Sequence, residues 1–176
     1  MFRKEKSINA ILYILQNEGG SCDMHKICKI LYFADQKHLS EYGRLITGDV
    51  YIAMQYGPVP SKIYDIFKAV RGDSYFSGDE FKTQFCFINK KDVEGKVKPN
   101  TEELSESDIE CIDYAIAQCK GKDFEELTQM SHSYAWSNTA KDRNISYKDI
   151  LREIGDNEGY VEYISQKLQT DKLLSL

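Results

Sequence analysis

Cysteine, histidine and aspartate are the residue types here from which a catalytic site is most often built, and the first candidates lie close together. Cys22 and Cys28 flank His25. On a helix, His25 and Cys28 are one turn apart, a spacing at which an imidazole can activate a thiol as a nucleophile. Cys28 also falls on the apolar stripe of that helix, whereas a nucleophilic thiol needs exposure and a lowered pKa. We therefore predict a buried, inert Cys28.

Two further polar groups lie on apolar helix faces, where we predict structural roles. Asp35 interrupts an apolar stripe, with Tyr32 and His38 about one turn away. Because burying an unpaired charge is costly, we expect Asp35 to accept hydrogen bonds from Tyr32, His38 or backbone amides of the next segment. His132 and Trp136 are also one helical turn apart and are predicted to form a packing and hydrogen-bonding unit.

Established motifs of catalysis and metal binding are missing from the sequence. It contains no GxGxxG or GxxxxGK[ST] phosphate loop and no GxSxG nucleophile elbow. Its five cysteines have no CxxC spacing, and its three histidines do not have the spacing of zinc ligands. We therefore predict that the protein is not an enzyme and has no catalytic residue, no metal and no cofactor.

Charge and hydropathy limit the compartment and the partners. The net charge of −5 disfavours nucleic-acid binding driven by counterion release. No apolar run approaches the roughly 20 residues that span a bilayer. The charged N-terminus is not followed by a signal-peptide pattern. We predict a cytoplasmic protein with neither a membrane nor nucleic acid among its partners.

Hydrophobic periodicity and helix-end signals predict a mainly α-helical protein with a small antiparallel β-sheet or hairpin. Helices are expected at 7–17, from Ser21 or Asp23 to Gly43, at 61–72, from Ser105 or Ser107 to Gly121, at 123–131, at 146–155 and at 158–168. Phe81, Phe85 and Phe87 alternate with polar residues and begin a hairpin at about 80–98. We predict a single domain over 1–176, with a helical part at 1–72, the hairpin, and a second helical part at 104–170.

The stretch 48–60 is predicted to be one short strand with a rigid exit. Apolar residues alternate over 50–56, and Gly57-Pro58 ends the strand. We expect the apolar parity to face the core and the opposite parity, with Tyr51 and Gln55, to face outward. The strand is expected to pair with the hairpin at 80–98, because a lone hairpin is only marginally stable.

Aromatic side chains are frequent anchors of protein interfaces, and this chain has 12 tyrosines. The candidate partner-binding residues are Tyr51, Gln55, Tyr56, Tyr64, Tyr75 and Phe76. For Tyr56 and Tyr64, a place in the core fits the pattern equally well. The residues expected to define the fold are Asp35, Gly48, Asp49, Gly57, Pro58, His132 and Trp136.

A winged-helix DNA-binding transcriptional regulator is the alternative function. The first two helices, the strand after them and the 80–98 hairpin follow the order of elements in a winged helix. Lysines are expected on the polar side of the second helix and on the hairpin: Lys26, Lys29, Lys37, Lys90, Lys91, Lys96 and Lys98. Acidic residues such as Asp35 and Glu94 interrupt both groups and weaken any positive field.

Three segments together resemble the Panacea antitoxin domain, a family that includes SocA-like antitoxins and phage-associated GepA proteins. They are KILYFAD at 29–35, GDVYIAMQYGPVP at 48–60 and SHSYAW at 131–136. Each segment alone is a weak signal, whereas the combination is specific. The resemblance extends from the first helix to about Ile150.

The resemblance implies a non-enzymatic antitoxin of a bacterial or phage toxin–antitoxin system. Such a domain binds a cognate toxin protein directly and holds it inactive. Members of the family neutralise unrelated toxins, so the chemistry of the toxin does not follow from the resemblance. One branch acts as an adaptor that delivers its toxin to an ATP-dependent protease. Some members carry an additional DNA-binding domain, for which this chain has no room.

Overall fold

The computed structural model describes the backbone of residues 1–174, which is mainly helical with two small antiparallel sheets, as predicted. The helices are α1 (Lys4–Asn17), α2 (Met24–Tyr42), α3 (Ser61–Arg71), α4 (Asp79–Lys82), α5 (Glu106–Cys119), α6 (Phe124–Ser131), α7 (Tyr134–Ser137), α8 (Tyr147–Ile154) and α9 (Glu158–Leu174). The strands are β1 (Ser21–Asp23), β2 (Tyr51–Met54), β3 (Gly57–Pro60), β4 (Phe85–Phe87) and β5 (Asp92–Gly95). Across the described helices, none is both long enough and apolar enough to cross a membrane.

Most of the predicted helix ends are confirmed. Capping residues bond to the adjacent turn of the same helix, so the local sequence is enough to identify them. Asp23 accepts a hydrogen bond from the His25 amide at the start of α2. Gly43 ends that helix in the left-handed conformation, with φ of 65°. Ser105 and Asp123 each complete a capping box, at α5 and α6 respectively.

Helix α2 lies at the centre of the molecule. Every residue from Ile27 to Asp35 is buried, so the middle of the helix is covered on all sides. It packs most extensively against α5, and also against α8, α6 and β3. A helix that is buried all round is surrounded by other elements rather than lying on the surface. Helix α2 is therefore the support for the hairpin formed by β2 and β3.

The predicted single strand at 50–56 is wrong. The chain turns at Gln55 and Tyr56, and β3 pairs antiparallel with β2, with Met54 opposite Gly57. Gly57, at the end of the turn, has φ of 101°. Glycine adopts this conformation readily because it has no Cβ. A two-residue turn of this kind closes a tight β-hairpin.

The two prolines of β3 are compatible with the hairpin because both lie at positions where the pairing with β2 needs no amide donor. Pro58 and Pro60 lie opposite Ala53 and Tyr51. Ala53 and Tyr51 direct their backbone hydrogen bonds away from β3: the Ala53 amide donates to the Arg143 carbonyl and the Tyr51 carbonyl accepts from Ile145. Proline has no amide hydrogen to donate, so it fits where the ladder needs none.

The predicted pairing between the 48–60 stretch and the later hairpin is also wrong. Strands β4 and β5 form a hairpin, and β5 pairs on its other side with β1, giving the order β1-β5-β4. Strand β1 has only three residues and was not predicted. Phe81 was expected in a strand but lies in the short helix α4, and the strand begins at Phe85.

Candidate partner-binding site

Asp35 holds the segment that leads into the β2–β3 hairpin. Its side chain is 1% exposed and accepts hydrogen bonds from the Ile46 amide (2.5 Å), the Thr47 hydroxyl (2.7 Å) and the Tyr51 hydroxyl (2.8 Å). Burial raises the pKa of this carboxyl, and the hydrogen bonds oppose that shift. The expected bonds to backbone amides of the next segment are confirmed. Tyr32 is not a partner, because it donates to Glu153 instead.

The predicted outward parity of the strand is wrong. Tyr51 is 1% exposed and its ring contacts that of Tyr32, with 5.1 Å between centroids. Ala53, on the same parity, is also buried. Alternation indicates that the two faces differ but not which of them meets the core, and here α2 covers the face with the tyrosine. Tyr51 is therefore not on the surface that a partner can reach.

Asp49 caps helix α3 from a distance. Its carboxylate accepts hydrogen bonds from the amides of Lys62 (3.1 Å), Ile63 (3.0 Å) and Val50 (2.8 Å). The residue at the N-cap position is Pro60, whose side chain makes no capping bond. The first-turn amides of a helix need acceptors. Asp49, which lies two residues before β2, supplies an acceptor for two of them. It joins β2 to α3.

Two glycines allow close approaches around the hairpin. Gly48 has φ of 67°, and a Cβ there would lie 2.1 Å from the Met1 carbonyl oxygen. At Gly57 a Cβ would lie 2.5 Å from Nζ of Lys29 and 2.4 Å from Oγ of Ser131. Neither position has space for a side chain. This accounts for the place of both glycines among the residues expected to define the fold.

Lys29 lies directly under the hairpin. The prediction that it lies on the polar face of its helix is wrong. The residue is 0% exposed, and its Nζ donates to the Pro58 carbonyl at 3.1 Å. Burial lowers the pKa of the ammonium to about 8. The side chain is long enough to cross from α2 to β3, so it fixes β3 on the central helix.

His132 and Trp136 form the predicted packing and hydrogen-bonding unit. Their rings are stacked with 3.6 Å between centroids and an interplanar angle of 7°. Trp136 Nε1 donates to the Met54 carbonyl at 2.8 Å. The two residues are not on one helix, since α6 ends at Ser131 and His132 is its C-cap. The indole holds the end of β2 where the turn begins.

The turn of this hairpin presents an exposed aromatic pair. Tyr56 is 50% exposed and Phe124, the first residue of α6, is 48% exposed. Their rings meet edge to face, with 5.2 Å between centroids. His25 packs on Phe124 at 4.2 Å, and its Nε2 lies 3.2 Å from the Tyr56 carbonyl oxygen. Tyr56, Phe124, His25 and the exposed Gln55 are called the Tyr56–Phe124 patch below.

Phe124 is the residue of this patch that the sequence did not indicate. It is three positions before the buried Leu127, a spacing typical of a core face. Because it directly follows the cap Asp123, however, it lies at the very end of α6, where its ring meets the hairpin turn. Its position directly after the cap Asp123 is the sequence feature that distinguishes Phe124 from the buried positions of α6 such as Leu127.

The remaining predicted partner-binding residues lie elsewhere. Tyr64 is half-buried on α3, with Nζ of Lys68 5.0 Å from its ring centroid. Tyr75 and Phe76 are 108% and 78% exposed in the loop between α3 and α4. In the part of the chain that the structure describes, neither ring contacts Tyr56 or Phe124. The structure thus brings together only Gln55 and Tyr56 of the predicted set.

The buried cysteines have the environment of inert thiols, as predicted for Cys28. Cys28 is 3% exposed, and burial raises its pKa to about 12. Burial likewise raises the pKa of Cys22 to about 12 and that of Cys119 to about 11. A thiol with such a pKa stays protonated at neutral pH and is a poor nucleophile.

Comparison with known proteins assigns the chain to a family. Neither the curated proteins nor the solved structures contain a significant match to it. The family model described as antitoxin SocA-like, Panacea domain, matches residues 27–137. That region runs from α2 to α7 and includes the β2–β3 hairpin, Phe124 and the His132–Trp136 stack. The chain therefore belongs to the SocA-like antitoxin family of Panacea domains.

Proposed function

We propose that this antitoxin neutralises a cognate toxin protein by binding it directly through the Tyr56–Phe124 patch. The observation that carries the proposal is an exposed aromatic pair where a hairpin turn meets the start of α6, inside the region that the family model matches. Aromatic side chains dominate the binding free energy of many interfaces because they bury a large area at a small cost in conformational entropy.

The rigidity of the hairpin supports this proposal. Asp35 orients Tyr51 and the preceding segment, Lys29 bonds the Pro58 carbonyl, and Trp136 bonds the Met54 carbonyl. The turn between these anchors is therefore held in one conformation before any partner arrives. A preorganised surface loses less conformational entropy on binding, so more of the contact free energy remains as affinity.

We propose that neutralisation acts by binding alone, without chemistry on the toxin and without a cofactor, in the cytoplasm. The raised pKa of the buried Cys28 thiol supports a role without nucleophilic catalysis. Delivery of the bound toxin to an ATP-dependent protease is the variant of this function known in one branch of the family. Toxin half-life during co-expression separates the two: occlusion leaves the toxin stable, and delivery shortens its lifetime.

The test is co-expression with the product of the neighbouring gene. Wild-type antitoxin is expected to restore growth and to co-purify with the toxin. Phe124→Ala and Tyr56→Ala are each expected to weaken binding by about 1–2 kcal/mol, or roughly 5- to 30-fold in Kd. Tyr163→Ala removes a tyrosine of α9 that is 62% exposed and serves as the matched control. Absence of both rescue and co-purification for the wild type would reject the function.

A winged-helix DNA-binding role remains a second candidate because of the observed connectivity. If the β2–β3 hairpin and α4 are left out, the remaining order α1-β1-α2-α3-β4-β5, with β5 between β1 and β4, matches that of a winged helix. Helix α3 would then occupy the recognition position. Its cations have acidic neighbours, however: Lys68 pairs with Asp65 at 2.7 Å and Arg71 pairs with Asp73. Binding to the upstream DNA that falls steeply with salt would support this role, and no binding at low salt would eliminate it.

A further inference from the structure

We propose that the Tyr56–Phe124 patch receives an arginine or lysine side chain from a basic surface of the toxin. This inference rests on the proposed function and specifies the chemistry of the partner at the same site. It follows from the charges around this patch and from the charge state of the histidine within it, together with the cation–ring contacts that the chain makes elsewhere.

Some other aromatic rings of the chain have a cation of the chain over them, whereas exposed rings such as Tyr75, Phe76 and Tyr163 have none among the described side chains. Lys37 Nζ lies 4.9 Å from the Tyr114 ring centroid, and Lys68 Nζ lies 5.0 Å from that of Tyr64. Arg71 likewise lies 5.4 Å from the Phe87 ring centroid. Such contacts are attractive because the face of an aromatic ring carries partial negative charge.

The Tyr56 and Phe124 rings have no such cation over them among the side chains that the structure describes, those of residues 1–170 and 173. Their edge-to-face contact leaves about half of each side chain exposed. His25 packs on Phe124, and the remaining exposed surface of the two rings can take a cation from another molecule. A guanidinium would gain most, because it is planar, stacks on aromatic rings and is weakly hydrated.

Acidic residues lie beside the patch at the start of α6. Asp123, Glu125 and Glu126 are all exposed and flank Phe124 directly. Asp123 and Glu126 each use one carboxylate oxygen in the capping box, and Glu125 contacts only Gln129. These carboxylates are available to pair with a cation that sits on the rings, in the bidentate geometry that arginine favours.

Two of the three lysines near the patch are engaged. Lys26 pairs with Glu18 at 2.5 Å, and Lys29 is buried behind the hairpin with its Nζ on the Pro58 carbonyl. Lys122, two positions before Phe124, is half-buried. His25 has a pKa lowered by burial, so it is neutral at physiological pH and does not repel a cation. The local balance is acidic, as a basic partner requires.

The experiment separates cation binding from simple apolar docking. Phe124→Leu and Tyr56→Leu keep an apolar side chain but remove the aromatic face, whereas Phe124→Tyr keeps that face. With the neighbouring gene product as the probe, each leucine variant is expected to raise Kd by roughly 3- to 30-fold, and Phe124→Tyr to bind like the wild type. Leucine variants that bind as tightly as the wild type would overturn the inference.

The charge of the partner is tested in parallel. Glu125→Lys is expected to weaken binding about 5-fold or more at low salt, with a smaller effect at high salt, because it repels a basic surface. Glu102→Lys makes the same change at an exposed glutamate of the turn Thr101–Glu103 and is the matched control. Equal effects of the two reversals, or tighter binding by Glu125→Lys, would overturn the inference.

The outcome for the wild type keeps the two proposals distinct. If the wild type neutralises and co-purifies with the toxin while the leucine and lysine variants behave as it does, the proposed function stands and only the cationic partner is rejected. If the wild type neither neutralises nor co-purifies, the proposed function itself is rejected.

Discussion

Gly57 shows how a single residue determines whether the hairpin can lie on the central helix. Its φ of 101° is unfavourable for other residues, and a Cβ would lie 2.5 Å from Nζ of Lys29. Gly57→Ala is therefore expected to lower the free energy of unfolding by about 2–4 kcal/mol, measured by urea denaturation.

Gly121 provides the control for that substitution. It also has positive φ, 71°, but a Cβ there would meet nothing within 4 Å. Gly121→Ala is expected to cost only the backbone strain, about 1–2 kcal/mol. If the two variants lose the same stability, the close approach to Lys29 is not what requires glycine at position 57.

Lys29 is expected to make the free energy of unfolding depend on pH in the alkaline range. Its folded pKa of about 8 is below the unfolded value of 10.5, so between these values the unfolded chain binds a proton that the folded chain does not. The contribution of Lys29 to the free energy of unfolding therefore increases as pH rises from 8 to 10.5, by up to roughly 3 kcal/mol.

The measurement compares the wild type with Lys29→Met across that pH range by urea denaturation. Because tyrosines and cysteines titrate in the same range, the difference between the two proteins isolates Lys29. The stability of the wild type relative to the variant is expected to rise with pH. Lys120→Met, at an exposed lysine, should show no such trend. A difference that does not change with pH would contradict a buried, destabilised ammonium.

At the scale of elements, Asp49 links the hairpin to α3. Its carboxylate accepts two first-turn amides of that helix, from Lys62 and Ile63. Asp49→Ala leaves these amides without an acceptor and is expected to lower the free energy of unfolding by about 1–3 kcal/mol. Amide hydrogen exchange at Lys62 and Ile63 is expected to become faster.

Asp49→Asn is the informative companion, because an amide oxygen can still cap a helix. It is expected to recover part of the lost stability. Asp73→Ala, at an exposed aspartate just after α3, controls for the loss of a charge. Unchanged exchange at Lys62 and Ile63 in Asp49→Ala would show that α3 does not depend on this cap.

At the scale of the whole molecule, Asp108 joins the two halves of the chain. It is 0% exposed and pairs with Lys6 of α1. Nη2 of Arg44 lies 3.0 Å and Nε2 of His38 lies 3.2 Å from its Oδ1. Burial alone would raise the pKa of this carboxyl, but the close His38 ring and hydrogen bonds from Lys6 and the Ser105 amide hold it well below its usual range.

This arrangement predicts a loss of stability in acid. The folded pKa of Asp108 is below the unfolded one, so its contribution is complete above about pH 4 and is lost as pH falls toward the folded value. Asp108→Asn is expected to lower the free energy of unfolding at pH 7 by about 2–4 kcal/mol. The variant should also lose less stability than the wild type between pH 5 and 2, measured by urea denaturation. An equal acid dependence of the two proteins would contradict this role.

The sequence by itself determined the helical framework and the family. Helix ends depend on residues within one turn, so Asp123 and Ser146 could be identified as caps without knowledge of the fold, and Asp23 and Ser105 were each one of two candidates. The family resemblance rests on segments that lie inside the matched region 27–137. The need of Asp35 for hydrogen-bond donors also followed from its place on an apolar face.

Only the tertiary structure decided which face of β2 is buried, where Lys29 lies and that Phe124 joins Tyr56 on the surface. Alternation along a strand gives two faces without saying which one meets the core. Here α2, β3 and the segment 142–145 surround β2 and bury Tyr51, and both α2 and the segment 142–145 come from other parts of the chain. The exposed aromatic patch is made by α6 meeting a hairpin turn from another part of the chain. Long-range packing therefore built the candidate site on a framework set by local signals.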